Sequence, residues 1–171
     1  LGRGAVPALS LAQNTLLTRA EPVNAWGYLR LARVEALAAH LITRFQVAAA
    51  GPAAAAHSLS GGNLQKFIVG RELDAEPKLL LVSQPTWGVD VGAAAAIRAE
   101  LLRLRDAGCG VLLVSEELDE LFEISDRLLV IARGRLSPSV PTAEVSVEQI
   151  GEWMSGLWPE PAQGGGRELH A

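Results

Sequence analysis

Two short, uninterrupted apolar runs constrain the fold of this chain more than any other feature. Leu79–Val82 and Val111–Val114 contain no polar residue, so neither run shows the alternation of a strand with one solvent-exposed face. Uninterrupted apolarity is instead expected of parallel strands that are covered on both faces. The segment between the two runs, 92–107, carries apolar residues at helical spacing. A strand, a helix and a second strand in this order predict an α/β fold with a largely parallel sheet.

The flanking segments carry further helix and turn signals. Apolar residues recur at three- and four-residue spacing between Trp26 and Phe45, which is typical of an amphipathic helix packed on a core. The predicted elements outside the two strands are a helix capped by Ser10 and reaching Arg19, a helix from Trp26 to Phe45, a helix from the Ser58–Gly62 loop to Asp74, a short helix over Glu117–Ile124, a third apolar strand over Leu128–Ile131, and a turn at Arg133–Arg135 that leads into an edge hairpin strand.

Composition excludes several classes of protein. The 171 residues, 49% of them hydrophobic, are enough for one domain with a core. The net charge is -4 and there are only two lysines, so no nucleic acid partner is expected. A single cysteine, Cys109, excludes an internal disulfide and a multi-cysteine metal site, and the three histidines share no metal-ligand spacing. No apolar run approaches the roughly 18 residues of a membrane span, so any role at a membrane would be peripheral.

The Ser60-Gly61-Gly62 sequence precedes a predicted helix, and it has two interpretations. The first amides of a helix have no intrahelical partner and carry partial positive charge, so they bind anions, and glycine allows a phosphate to approach the backbone closely. The alternative is that Ser60 only caps the helix after a flexible turn. These three residues alone do not decide between the two.

The wider sequence favours the first interpretation through a resemblance. The segment LSGGNLQK (Leu59–Lys66) resembles the signature motif of ABC ATPases. The run over 79–82 continues into Ser83–Asp90, which resembles the Walker B motif and D-loop of that family, and Ser115-Glu116 follows the next strand where the family has its switch histidine. Ser125–Arg135 resembles a further family stretch, and the resemblance covers about residues 1–155. Within the family, the chain looks most like the second nucleotide-binding domain of the tandem ATPases that serve simple-sugar and nucleoside (ribose-type) importers.

This resemblance implies that the chain folds as the C-terminal part of a P-loop NTPase fold of the ABC type, with a largely parallel sheet and a helical subdomain. Residues 1–75 would form the helical subdomain, ending in the signature helix, and the helix over 26–45 would dock on a membrane subunit. Residues 76–157 would form the C-terminal part of the ATPase core, and residues 158–171 a disordered tail.

The resemblance also implies which residues act on a nucleotide. In the family, two domains enclose two nucleotides, and each site combines the P-loop of one domain with the signature of the other. The residues expected to contact ATP held by a partner domain are Ser60, Gly61, Gly62, Asn63 and Gln65. Asp90, as the D-loop aspartate, is expected at the interface between the domains. Trp87 is expected either to stack against a nucleotide or to pack at that interface.

The departures from the family pattern concern catalysis. The P-loop motif GxxxxGK[ST] is missing, and neither Lys66 nor Lys78 has the sequence around it that this motif requires. Because the chain begins at Leu1 and its only methionine is Met154, we expect it to be a piece of a longer product with the P-loop before Leu1. Without a P-loop, it is not expected to hydrolyse ATP alone.

Three positions of the chain's own catalytic site are also degenerate. Ser83 replaces the aspartate that helps to hold Mg²⁺, and a neutral hydroxyl is a weaker partner for that cation. Gln84 replaces the catalytic glutamate, and an amide cannot accept a proton from water. Glu116 replaces the switch histidine and would place negative charge towards the γ-phosphate. No catalytic residue of this site is therefore expected to be intact, and no metal ligand is assigned.

These inferences lead to one principal hypothesis and two alternatives. The chain would be the ATP-binding part of an ABC importer, binding ATP and Mg²⁺ jointly with a second nucleotide-binding domain. Permease subunits would be direct partners and a periplasmic or lipoprotein solute-binding protein an indirect one, at the cytoplasmic face of the plasma membrane. The first alternative is a truncated, non-enzymatic module that binds a permease or another ATPase half. The second, a soluble ABC protein of DNA repair, would need a long heptad insertion that the sequence does not contain.

Overall fold

The computed structural model describes residues 4–19 and 28–159. They form two compact units, Leu1–Glu116 and Glu117–Ala171, and each is described by itself. The helices are α1 (Leu11–Thr15), α2 (Leu31–Arg44), α3 (Gly61–Asp74), α4 (Val91–Asp106), α5 (Leu118–Ile124) and α6 (Val147–Met154), with short 3-10 turns at Ala56–Ser58 and Thr142–Glu144. The strands are β1 (Leu79–Ser83), β2 (Gly110–Val114), β3 (Arg127–Leu128), β4 (Ile131–Ala132), β5 (Arg135–Leu136) and β6 (Val140–Pro141).

The predicted strand–helix–strand unit is present in the first compact unit. β1 and β2 pair in parallel, with Leu79 opposite Gly110 and Ser83 opposite Val114. The helix that connects them, α4, buries Ile97, Leu101 and Leu104, as its sequence spacing predicts, and it stops before Gly108, whose φ is 92°. The α/β class and the parallel pairing of the two apolar runs are therefore confirmed.

Only one face of the β1–β2 pair is covered. Leu80 is 7% exposed, whereas Leu79 and Leu81 are 64% and 67% exposed. On β2, Leu112 and Val114 are 50% and 52% exposed. Because alternate residues of a strand point to opposite faces, these four apolar side chains form one surface, which we call the bare sheet face. The expectation of strands covered on both faces is not met within the part of the chain that the structure describes.

The helical part of the first unit has a closed core. Leu11 on α1, Leu41 on α2 and Phe67 on α3 are all completely buried in one cluster. Ser10 caps α1 as predicted, but α1 ends at Thr15 and not at Arg19. α2 begins at Leu31; the predicted start at Trp26 lies outside the described residues.

The C-terminal end of α3 is tied to both preceding helical segments through Asp74. Arg19 Nη1 lies 3.1 Å from Asp74 Oδ2 and His40 Nε2 lies 3.0 Å from Oδ1, and Arg44 also pairs with this carboxylate. Burial alone would raise the pKa of the Asp74 carboxyl, but hydrogen bonds from these three side chains outweigh burial and hold the pKa below its ordinary value. This cluster fixes where α3 ends against α2.

The third apolar run departs from its prediction. Leu128–Ile131 does not form one strand: Leu128 belongs to β3, which pairs antiparallel with β6, and Ile131 belongs to β4, which pairs antiparallel with β5. Between β3 and β4, the Val130 N–H donates to Ser137 Oγ at 2.8 Å, while the Val130 oxygen accepts from the Ser137 N–H at 2.8 Å. The predicted turn at Arg133-Gly134 is confirmed, with φ of 52° and 74°.

The second unit also contains a helix that the sequence analysis did not predict. Ser146 and Gln149 form a reciprocal capping box at the start of α6, and Ile150 and Trp153 pack with Leu128 in a small core. The Ser-x-x-Gln spacing was the available signal. Residues 160–171, most of the predicted tail, lie outside the described residues. Among the described helices, none has the length and apolarity needed to cross a membrane.

Candidate functional site

The candidate site begins at the N-terminal end of α3. Ser60 is the N-cap, and its Oγ accepts hydrogen bonds from the Asn63 backbone N–H at 3.4 Å and from Asn63 Nδ2 at 2.9 Å. Asn63 Oδ1 in turn accepts from the Ala48 N–H at 2.8 Å, which fixes the first turn of α3 against the preceding segment. Ser60 and Gly61 are exposed and Gly62 is half-buried.

This geometry is compatible with both interpretations of the Ser-Gly-Gly sequence, as a helix cap and as an anion-binding helix start. Ser60 does cap the helix, and capping engages the Asn63 amide. The amides of Gly61 and Gly62, one and two positions after the cap, have no partner within the helix and lie at its positive end. Gly61 is exposed, so an anion can approach the start of the helix from solvent.

Gly62 is required by the fold of the chain itself. A Cβ at this position would lie 2.6 Å from the Gly88 carbonyl oxygen, closer than real Cβ contacts. Gly88 has φ of 72°, a conformation that favours glycine. The two glycines let the first turn of α3 contact the backbone of the segment 84–90, which we call the D-loop segment.

The next turn of α3 contacts the same segment through side chains. Gln65 Nε2 donates to the backbone oxygens of Gln84 and Pro85, both at 3.3 Å. Lys66 Nζ lies 2.7 Å from Asp90 Oδ2. The carboxamide of Gln65 is thus engaged within the chain, and its contact with a partner's nucleotide stays a prediction.

Asp90 has two partners in the chain. Its Oδ1 accepts from the Ala93 N–H at 2.8 Å, which caps α4, while its other oxygen faces Lys66. The Lys66 ammonium, followed by the Ala93 N–H, lowers the pKa of Asp90 below its ordinary value. No sequence pattern predicts the pairing of Lys66 with Asp90, because it links residues 24 positions apart.

The three positions predicted to be degenerate lie at or just beyond the C-terminal ends of the parallel strands. Ser83 is the last residue of β1, Gln84 comes next, and Glu116 follows β2 by two residues. The carboxyl ends of parallel strands share one edge of a sheet, which is where ligands bind in α/β proteins. Gln84 has φ of 51°, and its N–H donates to the Val114 oxygen at 2.8 Å, so the end of β2 holds it in a strained conformation.

This edge offers few ligands for Mg²⁺. Of the three positions only Glu116 has a carboxylate, and Mg²⁺ in phosphate sites is ordinarily held by one or two carboxylates together with the phosphates. Among the described residues, no group of three or more histidine, cysteine, aspartate or glutamate side chains could hold a metal ion.

A cavity of about 570 Å³ lies between α3 and β1. Gly62, Gln65, Leu81, Ser83 and Trp87 are among the residues that line it. Trp87 is 69% exposed, so its indole is available to another molecule. The structure leaves both alternatives for Trp87 open, because an exposed aromatic ring can stack on a base or pack at a protein interface.

The fold defines the class of protein. No family model matches the chain. The chain is similar to the dimeric ATP-binding cassette MJ0796 in a post-hydrolysis state bound to ADP and Pi, with a TM-score of 0.63, 19% identity, and coverage of 81% of this chain and 59% of that one. It is also similar to an ATP-binding subunit of an ABC transporter, with a TM-score of 0.65, 19% identity, and coverage of 90% and 60%. The described part of the chain therefore has part of the ABC ATPase fold.

The sequence relatives define the kind of ABC ATPase. The chain is 40% identical over 155 residues to the nucleoside import ATP-binding protein NupA of Lactococcus lactis and 41% identical over 155 residues to the guanosine import ATP-binding protein NupO of Bacillus subtilis. It is 39% identical over 157 residues to the ribose import ATP-binding protein RbsA 2 of Rhizobium etli. These matches cover 90%, 90% and 91% of the chain but only 31%, 30% and 31% of those proteins. The chain thus has part of the ABC ATPase fold and is homologous to ATP-binding proteins of ribose and nucleoside import, and it spans about a third of the length of these curated relatives.

Proposed function

We propose that this chain is the ATP-binding component of an ABC importer for simple sugars or nucleosides. It supplies Ser60, Gly61, Gly62 and Asn63 to an ATP molecule whose phosphates, with Mg²⁺, are held by the P-loop of a partner domain. The single observation that carries this proposal is the exposed, serine-capped N-terminus of α3, where Gly61 is exposed to solvent.

In this proposal, the chain's own catalytic edge binds ATP but does not hydrolyse it. Gln84 can orient a water molecule through its amide but cannot take its proton. Ser83 offers one neutral oxygen, and the exposed carboxylate of Glu116 repels a γ-phosphate. The assembled ATPase would therefore contain one hydrolytic site, completed by this chain, and one site that binds ATP without turning it over.

The names of the relatives support the choice of partners. The ribose and nucleoside relatives are named as import ATP-binding proteins, so we assign a second ABC nucleotide-binding domain and the permease subunits as direct partners. A solute-binding protein outside the membrane would be an indirect partner. The chain would act peripherally, at the cytoplasmic face of the plasma membrane.

A pair of substitutions in the assembled ATPase tests this proposal. Ser60→Arg places a bulky cation where the partner's phosphates are expected and removes the cap. It should lower ATP turnover by about a hundredfold, the scale of losing a donor to a developing anion. Gln84→Ala should change turnover by less than about twofold, because a residue that cannot act as a base contributes little to a proton transfer.

Ser146→Arg is the matched control, since Ser146 caps α6 in the same way but lies in the other compact unit. It should leave turnover unchanged. Wild-type turnover in Ser60→Arg, or abolished turnover in Gln84→Ala, would reject the assignment. ATP turnover that persists without this chain would instead support the alternative of a non-enzymatic interaction module.

A further inference from the structure

Residues 28–33, which lead into α2 and begin it, are all exposed. Tyr28 and Leu31 are 73% and 68% exposed. Arg30 and Arg33 lie among these apolar residues, and the six residues contain no acidic side chain. We call residues 28–33 the α2 entry surface. It combines exposed apolar side chains with two positive charges, in a chain whose net charge is -4.

The apolar side of α2 extends beyond the core that covers the rest of the helix. Val34, Ala38 and Leu41 recur at three- and four-residue spacing and are buried, and the first two pack with Ala12 of α1. Leu31 lies three residues before Val34 and therefore on the same side of the helix. It is nevertheless mostly exposed. The first turn of α2 thus presents to solvent the apolar side that the following turns bury.

The two arginines of the α2 entry surface take no part in holding the fold together. Arg19, Arg44 and Arg71, in the same compact unit, each pair with a carboxylate. In the part of the chain that the structure describes, the side chains of Arg30 and Arg33 have no such partner, and that of Arg30 does not cap α2. Both positive charges are therefore available to another molecule.

The composition of this surface matches a membrane with anionic headgroups. Basic side chains are attracted to the negative potential of such a membrane, and apolar side chains beside them bury at the boundary between headgroups and acyl chains. A small soluble anion would satisfy the arginines but would leave Tyr28 and Leu31 in water. Because the chain as a whole is acidic, an anionic membrane repels it unless a locally positive surface faces the bilayer.

We infer that the α2 entry surface contacts anionic lipid headgroups and orients the chain on the membrane. Arg30 and Arg33 meet the headgroup phosphates, while Tyr28 and Leu31 lie against the apolar boundary beneath them. This inference uses the peripheral placement at the membrane that belongs to the proposed function. It adds lipid as a direct contact of the chain, separate from the permease subunits.

Flotation of the chain with lipid vesicles tests this inference. Phosphatidylcholine vesicles that contain about one third phosphatidylglycerol are compared with vesicles of phosphatidylcholine alone. The chain should partition more strongly onto the anionic vesicles, and added salt should weaken this partition because it screens exposed charges. Arg30→Gln combined with Arg33→Gln should lower the partition about thirtyfold, since each basic side chain near an anionic surface contributes about fivefold. Leu31→Gln should also lower it, because less apolar surface is buried in the membrane.

Two controls separate this surface from general charge and general apolarity. Arg105→Gln combined with Arg133→Gln removes the same charge from exposed positions outside the surface, and it should keep the partition within about twofold of wild type. Leu81→Gln changes the bare sheet face and should likewise leave the partition unchanged. Because all the substituted side chains are exposed, thermal unfolding of each variant should match wild type. Matching unfolding curves distinguish loss of lipid contact from loss of fold.

Several results would overturn the inference. They are equal partition onto the two kinds of vesicle, wild-type partition of the Arg30 and Arg33 double variant, an equal loss in the charge-matched control, or a loss confined to Leu81→Gln, which would place the lipid contact on the bare sheet face. A permease subunit is the alternative occupant. If the double variant no longer co-purifies with the permease in detergent while its vesicle partition is unchanged, the surface binds protein and the lipid contact is rejected.

Ser60→Arg distinguishes this inference from the proposed function. If Ser60→Arg lowers ATP turnover as expected while the chain does not prefer anionic vesicles, only the lipid contact fails. If the vesicle results are as expected while Ser60→Arg retains wild-type turnover, the proposed function fails and the lipid contact stands.

Discussion

The signature helix α3 is largely polar in sequence but well packed, whereas the parallel strands β1 and β2 are apolar in sequence but partly exposed. α3 contains glycines, an asparagine, a glutamine and four charged residues, yet Ser60 caps it and the chain buries Leu64, Phe67 and Leu73 along its inner side. The two strands are almost entirely apolar, yet four of their side chains are at least half exposed. Burial in this chain therefore follows the available partners and not local hydrophobicity.

This difference shows which parts of the structure the chain determines by itself. The contacts of α3 are made within the first compact unit: Ser60 at its start, the D-loop segment along its first turns, and Asp74 at its end. The bare sheet face is apolar surface for which the described residues supply no cover. Substitutions in α3 should consequently affect folding, and those on the bare sheet face should affect association.

The largest effect should come from the core of α3. Phe67 is fully buried between α1 and α2, so Phe67→Ala should lower the free energy of unfolding by about 3–5 kcal/mol through lost burial and a residual cavity. Denaturant unfolding of the chain measures the loss. Leu79→Ala is the control: a side chain that is 64% exposed should cost less than about 1 kcal/mol. Equal losses would contradict the comparison.

A smaller effect should follow from closing the space between α3 and the D-loop segment. Gly62→Ala places a Cβ against the Gly88 backbone oxygen, which cannot rotate away as a side chain can. The expected loss is about 1–3 kcal/mol, the usual cost of overpacking.

Gly151→Ala gives the contrast for this substitution, because nothing lies within 4 Å of a Cβ at that position in α6. It should be neutral or stabilise by up to about 1 kcal/mol, owing to the better helix propensity of alanine. Unchanged stability in Gly62→Ala would mean that the D-loop segment can move away from α3 without cost.

Much of the fold could be predicted from the sequence where the signal was local. Uninterrupted apolar runs and helical spacing predict the bounds of β1, β2 and α4 to within one residue, and Ser60 marks the start of α3 because a serine cap acts within three residues. The run Leu128–Ile131 was wrongly predicted to be one strand because its apolarity is continuous. In the structure, the Val130 N–H within this run donates to the side chain of Ser137, seven residues further along the chain. A side chain that replaces a ladder hydrogen bond leaves no trace in the hydrophobic pattern.

The candidate site likewise contains residues that the sequence predicts and contacts that it does not predict. The motif resemblance gave the positions of Ser60, Gln84 and Asp90, and the topology of parallel strands places Ser83 and Glu116 at one edge. The Lys66–Asp90 pair could not be predicted, because it depends on the crossing of α3 over a segment 24 residues further along the chain. The exposure of Leu81 could not be predicted either, since a sequence pattern reports that a face needs cover but not whether the chain provides it.

The smallest effect on stability, and the sharpest test of the comparison, lies on the bare sheet face. Leu81→Gln should change the free energy of unfolding by less than about 0.5 kcal/mol, as surface substitutions do, while reducing aggregation because it divides an exposed apolar surface. Leu80→Gln, one residue away on the covered face, should cost about 3 kcal/mol, since it buries an unpaired amide. Light scattering and denaturant unfolding of both variants separate the two effects. Should Leu81→Gln prove as destabilising as Leu80→Gln at every protein concentration, the face would be covered within the chain. If the loss grew with concentration, a second copy would be covering it, because binding to the folded state stabilises by mass action.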